Sequence, residues 1–109
     1  MILLLVALCY NACMKPSAAL ATHREALREL TSLYGVSSPR VFGSVLTGTD
    51  TEGSDLDLLV EPSANTTLLT ISALQNEAEK LLGVPVSVLT PQALPVRYRA
   101  RVLEVARPL

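Results

Sequence analysis

The chain has no tryptophan, one phenylalanine, three tyrosines and only two lysines, and its 9 basic residues face 10 acidic ones. Holding nucleic acid by broad phosphate neutralisation needs a basic surplus and rings for stacking, so no direct nucleic-acid partner is expected. Cysteine is as scarce: Cys9 and Cys13 both lie near the start, so they cannot staple the body of the chain, and a disulfide framework is excluded. The lone histidine, His23, follows Cys13 at a distance that matches no familiar zinc spacing, and it is expected at a helix surface. There is no internal repeat and no low-complexity stretch. Apolar residues are abundant instead: half of the 109 positions are hydrophobic. That is too many for disorder and suits one small globular domain. A domain of this size builds one core and leaves no room for a separate substrate-binding domain, so a large acceptor has to come from a partner.

The apolar run Met1 to Cys9 is too short to span a bilayer, which takes about 20 apolar residues. A secretory signal places Lys or Arg ahead of its apolar stretch, whereas the first basic residue here is Lys15, behind it. Neither a membrane anchor nor export is therefore expected, and the protein is assigned to the cytoplasm. We read translation as starting at Met14 and residues 1–13 as a non-native or disordered N-terminal extension, with an extra strand as the alternative. Residues 14–109 are then a single domain.

Along that domain, Leu20, Leu27, Leu30 and Tyr34 recur at helical spacing, opposite a face of Arg24, Glu25, Arg28 and Glu29, and Gly35 supplies the stop. After Ser37-Ser38-Pro39, the short β-prone stretch Arg40-Val41-Phe42 runs into a tight turn at Gly43-Ser44. Thr47 to Ser54 has the small, polar composition of an exposed loop. Asp55 to Val60 begins in strict alternation, so a strand puts Asp55 and Asp57 on one face and Leu56, Leu58 and Val60 on the other. A second helix fits 66–82, with Leu68, Ile71, Leu74 or Gln75, Ala78, Leu81 and Leu82 inward; Pro85 to Thr90 reads as a third strand. The tail from about Pro95 to Ala106 forms a last, basic helix with Val102 and Val105 inward. Strands separated by helices make a small sheet covered by helices, in the α/β or α+β class.

Chemistry is concentrated in one relation. Ten residues separate Gly43-Ser44 from Asp55-Leu56-Asp57, and all the aspartates of the chain lie between positions 50 and 57. With this chain's own residue frequencies, that pattern arises by chance on the order of a few times in ten thousand. Magnesium-type cations take hard oxygen ligands and often need only one or two carboxylates beside phosphate oxygens, which Asp55 and Asp57 supply. Strand alternation sets their Cβ atoms about 6 to 7 Å apart on one face, close enough to bracket cations. Gly43 lets the backbone approach a phosphate with no Cβ in the way, and Ser44 adds a hydroxyl and a main-chain N–H at a helix start. Singly, a Gly-Ser turn or an acidic edge strand is ordinary. Together they read as a site for a nucleoside triphosphate and a divalent metal.

The segment Arg40-Val41-Phe42-Gly43-Ser44, the ten-residue gap and Ser54-Asp55-Leu56-Asp57-Leu58-Leu59-Val60 closely resemble the minimal nucleotidyltransferases of the DNA polymerase β-like superfamily. The likeness extends over about residues 20–109. It implies an α+β fold with a small mixed sheet flanked by helices, ATP with Mg²⁺, and transfer of a nucleoside monophosphate to a hydroxyl with pyrophosphate leaving. Gly43 and Ser44 would bind the nucleotide; Asp55 and Asp57 would be catalytic and hold the metal. Many such short proteins are antitoxins whose partner is a helical HEPN toxin with a tyrosine acceptor, and attached AMP adds charge and bulk beside an RNA-cleaving site. That resemblance also implies assembly with the partner or with further copies.

One departure stands out. The superfamily usually carries a third carboxylate on the later strand, and the matching place in Pro85 to Leu89 is Ser87, whose hydroxyl cannot replace a carboxylate's charge. Glu61 has the parity of Asp57 but lies two same-face steps beyond it and is not taken as a substitute. The alternative function is therefore a catalytically impaired module that neutralises its partner by binding only. Transfer to a small molecule such as an aminoglycoside is disfavoured by the absence of a second domain.

Overall fold

The computed structural model describes residues 15–109, so the expectation for residues 1–13, with Cys9 and Cys13, lies outside the described residues. The elements are α1 (Pro16–Leu33), β1 (Ser37–Phe42), the single turn α2 (Ser44–Thr47), β2 (Leu56–Glu61), α3 (Leu68–Leu82), β3 (Val86–Leu89), a 3-10 turn (Pro91–Ala93), α4 (Val96–Val105) and β4 (Arg107–Pro108). The strands form one sheet in the order β3-β2-β1-β4, with β1 antiparallel to β2 and β4 and with β2 parallel to β3. This is the small mixed α+β sheet flanked by helices that the family resemblance implied.

Alternation along β2 decides which face carries what. Leu56, Leu58 and Val60 point into the core, where they meet Val41 from β1, Val86 and Val88 from β3, Leu20 and Leu27 from α1, and Leu74, Ala78 and Leu82 from α3. Burying a Leu side chain of this kind contributes about 1.5–3 kcal/mol, and α1 and α3 supply one such stripe each. The opposite face of β2 carries Asp57 and Leu59. Leu59 is also buried, so that face is not open along its whole length.

The edge of β3 is closed by side chains. The Val86 and Val88 amides donate to Glu79 Oε2 at 3.0 Å and Gln75 Oε1 at 3.1 Å. This resolves the choice between Leu74 and Gln75: Leu74 faces the core, and Gln75 covers the sheet edge. A capping box of Thr67 and Thr70 starts α3.

Several expectations are corrected. Leu68 is 81% exposed, because the buried stripe of α3 begins a turn later at Ile71. Val105 is also exposed and Val102 only half-buried, since α4 lies outside the core layer and buries no residue. It is tied down by Arg99, which donates to the carbonyls of Pro91 at 2.7 Å, Gln92 at 3.3 Å and Leu94 at 3.1 Å. The first strand starts at Ser37 rather than Arg40, with an irregularity between the two where Ser38 takes φ +50°. His23 is half-buried at a kink in α1, one residue after Thr22, whose hydroxyl donates to the Ala18 carbonyl at 3.1 Å and so competes with the helix ladder.

The loop of residues 48–54 is exposed except at Ser54, which is half-buried, and Asp50, which is buried. Its Oδ2 accepts from the Ser17 amide at 2.9 Å, filling the role of an acid in the first turn of α1, which has none of its own. Burial alone would push this carboxyl up, but the Ser17 amide and hydroxyl, its own amide and the charge of Lys15 outweigh it, and its pKa is lowered. A lowered pKa gives stability that is present above the unfolded pKa and is lost as pH falls through the folded one. Asp50→Ala should therefore cost about 0.5–2 kcal/mol in urea unfolding at pH 7. The difference from wild type should shrink in acid; equal stability at pH 7 would contradict this anchoring.

Candidate functional site

The site is assembled where the end of β1 meets the start of β2. Phe42 pairs with Asp57 across the antiparallel ladder, so Gly43 leaves the sheet directly beside the Asp57 side chain. Gly43 has φ +78° and ψ −148°, a region that residues with a Cβ essentially avoid. A Cβ placed there would overlap Asp57 Oδ2 and lie 3.1 Å from its carboxyl carbon. Gly43 is thus required twice, by its own backbone and by the carboxylate that lies over it.

Ser44 opens α2 immediately afterwards, and its turn closes through the Thr47 amide donating to the Gly43 carbonyl at 3.2 Å. The expected helix start is there, although it lasts only one turn. Asp55 stands one residue ahead of β2 and is exposed; Asp57 is inside β2 and half-buried. Burial first, and then the negative charge of Asp55, push the Asp57 carboxyl above the ordinary carboxylate range. Among the described residues, no ion pair or hydrogen bond serves either carboxylate.

The parallel ladder aligns Asp57 with Ser87, so the two side chains share a face on neighbouring strands about 4.8 Å apart. Glu61 shares that face but is engaged elsewhere, in an ion pair with Arg40. Asp55, Asp57, Gly43 and Ser44 are therefore gathered at one corner of the sheet, Ser87 adjoins them, and Glu61 is apart. Asp50, which anchors the loop between Ser44 and Asp55, was not singled out from the sequence. Its signal was an acid in a loop of mostly small polar residues, paired with a helix whose first turn lacks one.

The donor set fits a hard divalent cation. Two carboxylates, one of them half-buried and held close to its neighbour's charge without a protein cation, are what such an ion offsets. The absence of a Cβ at Gly43 keeps the space over Asp57 clear. No cluster of three or more His, Cys, Asp or Glu occurs among the described residues, so phosphate oxygens and water would have to complete the ligand sphere. A groove of about 620 Å³ between α1 and α3, lined by Ala26, Leu30, Leu33 and Leu81, lies on the other side of the sheet and takes no part in this arrangement.

Comparison with known proteins bears on the same stretch. The family model of the nucleotidyltransferase domain matches residues 20–109. Protein adenylyltransferase MntA of Thermococcus cleftensis is 36% identical over 75 residues, 69% of this chain and 73% of that protein. A Methanocaldococcus jannaschii protein provisionally named a protein adenylyltransferase is 36% identical over 73 residues, 67% of this chain and 78% of that protein. A solved structure provisionally named a minimal nucleotidyltransferase superposes with a TM-score of 0.77 at 42% identity, covering 85% of this chain and 95% of that one. A crystal structure of a toxin–antitoxin with AMP-PNP shares the fold, with a TM-score of 0.64 at 17% identity over 73% of this chain and 66% of that one.

Proposed function

Since the chain belongs to the nucleotidyltransferase domain family, we propose that it moves AMP from ATP, with Mg²⁺, onto a hydroxyl of a partner protein. The acceptor in this reading is a tyrosine of a HEPN-type toxin, and the chain is its antitoxin, acting in the cytoplasm. Relatives named as protein adenylyltransferases support the AMP donor and the protein acceptor. The fold is one that a toxin–antitoxin structure with AMP-PNP also has. Among the described residues, no helix is long and apolar enough to cross a membrane.

The observation that carries the reading is the packing of Gly43 against Asp57, which joins the Gly43-Ser44 turn and the acid pair into one site. Asp55 and Asp57 would hold the ion, and the Gly43-Ser44 turn would hold the phosphates through a main-chain amide and the Ser44 hydroxyl. When bound, the ion neutralises phosphate charge as the leaving group departs. In the transfer, a bond forms between the acceptor oxygen and the α-phosphorus, the bond from that phosphorus to the bridging oxygen breaks, and pyrophosphate leaves. The acceptor proton passes to solvent water, since the position beside Asp57 carries the neutral hydroxyl of Ser87.

Incubation of the chain with α-labelled ATP, Mg²⁺ and the product of the neighbouring gene tests this. Label is expected on the partner with wild type and not with Asp55→Asn. An absence of transfer, or equal transfer by both, would contradict it. The alignment of Ser87 with Asp57 favours a second reading, in which the chain neutralises its partner by contact alone. Under that reading, Asp55→Asn combined with Asp57→Asn leaves neutralisation intact.

A further inference from the structure

We infer that this site holds one divalent cation per bound nucleotide rather than two, and that Ser87 is the residue that sets the number. The inference rests on the nucleotide-and-metal reading above and goes further by fixing its stoichiometry. Two cations about 3.5–4 Å apart, clamping one substrate, need acids that reach both. Asp55, one residue ahead of β2, and Asp57, its second residue, are neighbouring same-face positions that can share one ion.

A second ion would need a further carboxylate beside the pair. The ladder shows which position would provide it: Ser87, directly beside Asp57 on the parallel neighbour. That position carries a neutral hydroxyl. Among the described residues no third acid clusters with the pair: Glu61 is paired with Arg40, Glu79 receives the Val86 amide, Asp50 receives the Ser17 amide, and Glu52 stands exposed in the loop. Every Asp, Glu and His of the sequence lies within residues 15–109, and the described residues form no cluster of three. One cation shared by Asp55, Asp57 and the phosphates satisfies this donor set; a second would have only water and a neutral oxygen beside it.

The test counts ions without using turnover. The full chain is saturated with Mn²⁺ and AMP-PNP, passed rapidly through a desalting column, and the protein fraction is assayed for manganese and nucleotide. Wild type and Ser87→Ala are expected to retain one manganese per nucleotide, and Ser87→Asp two. A wild-type ratio of two would overturn the inference, as would a Ser87→Asp chain that retains nucleotide with a ratio of one. Retention of neither manganese nor nucleotide by wild type would overturn both this inference and the functional reading beneath it. If Ser87→Asp fails to fold, the wild-type ratio alone decides.

Discussion

Asp57→Asn is expected to lower AMP transfer by at least about a hundredfold while leaving the ion-free protein as stable as wild type or more so. The loss follows from removing the half-buried member of the only acid pair at the site, since a metal's stabilisation of transition-state charge is worth several kcal/mol, with each 1.4 kcal/mol or so a factor of ten. The stability gain follows from the direction of the titration. Burial, and then the charge of Asp55, raise the Asp57 pKa in the folded chain. A carboxyl raised in this way favours folding in its protonated form, below the unfolded pKa, and that contribution is lost as pH rises through the folded pKa. Asparagine never ionises, so thermal melting at pH 7 without metal should show the variant at or above the wild-type midpoint, with the two converging below about pH 4. Adding Mn²⁺ and AMP-PNP should raise the midpoint of wild type only. A variant that melts well below wild type in metal-free buffer would mean that Asp57 serves the fold.

Gly43→Ala is expected to damage both fold and site. Its backbone conformation costs a residue with a Cβ about 1–3 kcal/mol, a fall of about 4–20 °C in the melting midpoint for a domain of this size. The new methyl also has to displace the Asp57 carboxylate, so nucleotide-dependent stabilisation should disappear as well. Gly48→Ala separates the two effects. Gly48 also has positive φ, +73°, but a Cβ there meets nothing within 4 Å, so that variant should pay only a backbone cost of about 1 kcal/mol and keep its response to Mn²⁺ and AMP-PNP. Equal behaviour of the two variants would contradict the close packing of Gly43 on Asp57.

What was legible in the sequence depended on whether a pattern was local. The alternation of Asp55 to Val60 gave the strand, its face and the pairing of the acids, because a strand's period is fixed by its backbone. The Gly-Ser turn was recognisable as a turn, but its contact with Asp57 was not, since that depends on the register of β1 against β2. The partnership of Asp50 with Ser17 joins positions 33 residues apart and leaves no periodic trace. The helix stripes were readable at Leu20, Leu27, Leu74 and Leu82, whereas Leu68 and Val105 fit the helical period but lie beyond the layer that α1, α3 and the sheet enclose. Hydrophobic spacing names a face; only the neighbouring elements determine how far along the helix that face is covered. The two-residue strand β4, with the Arg28 guanidinium donating to the Leu109 carbonyl beside it, was likewise invisible, because a pairing that short has no pattern of its own.

The most direct measurement is isothermal titration of AMP-PNP into the chain in the presence of Mn²⁺, repeated with Asp55→Asn and Asp57→Asn combined in one variant. A saturable heat in wild type that vanishes in the double variant is the predicted result. No heat in wild type, or the same heat in both, would show that the carboxylates beside Gly43 do not lodge a metal–nucleotide complex.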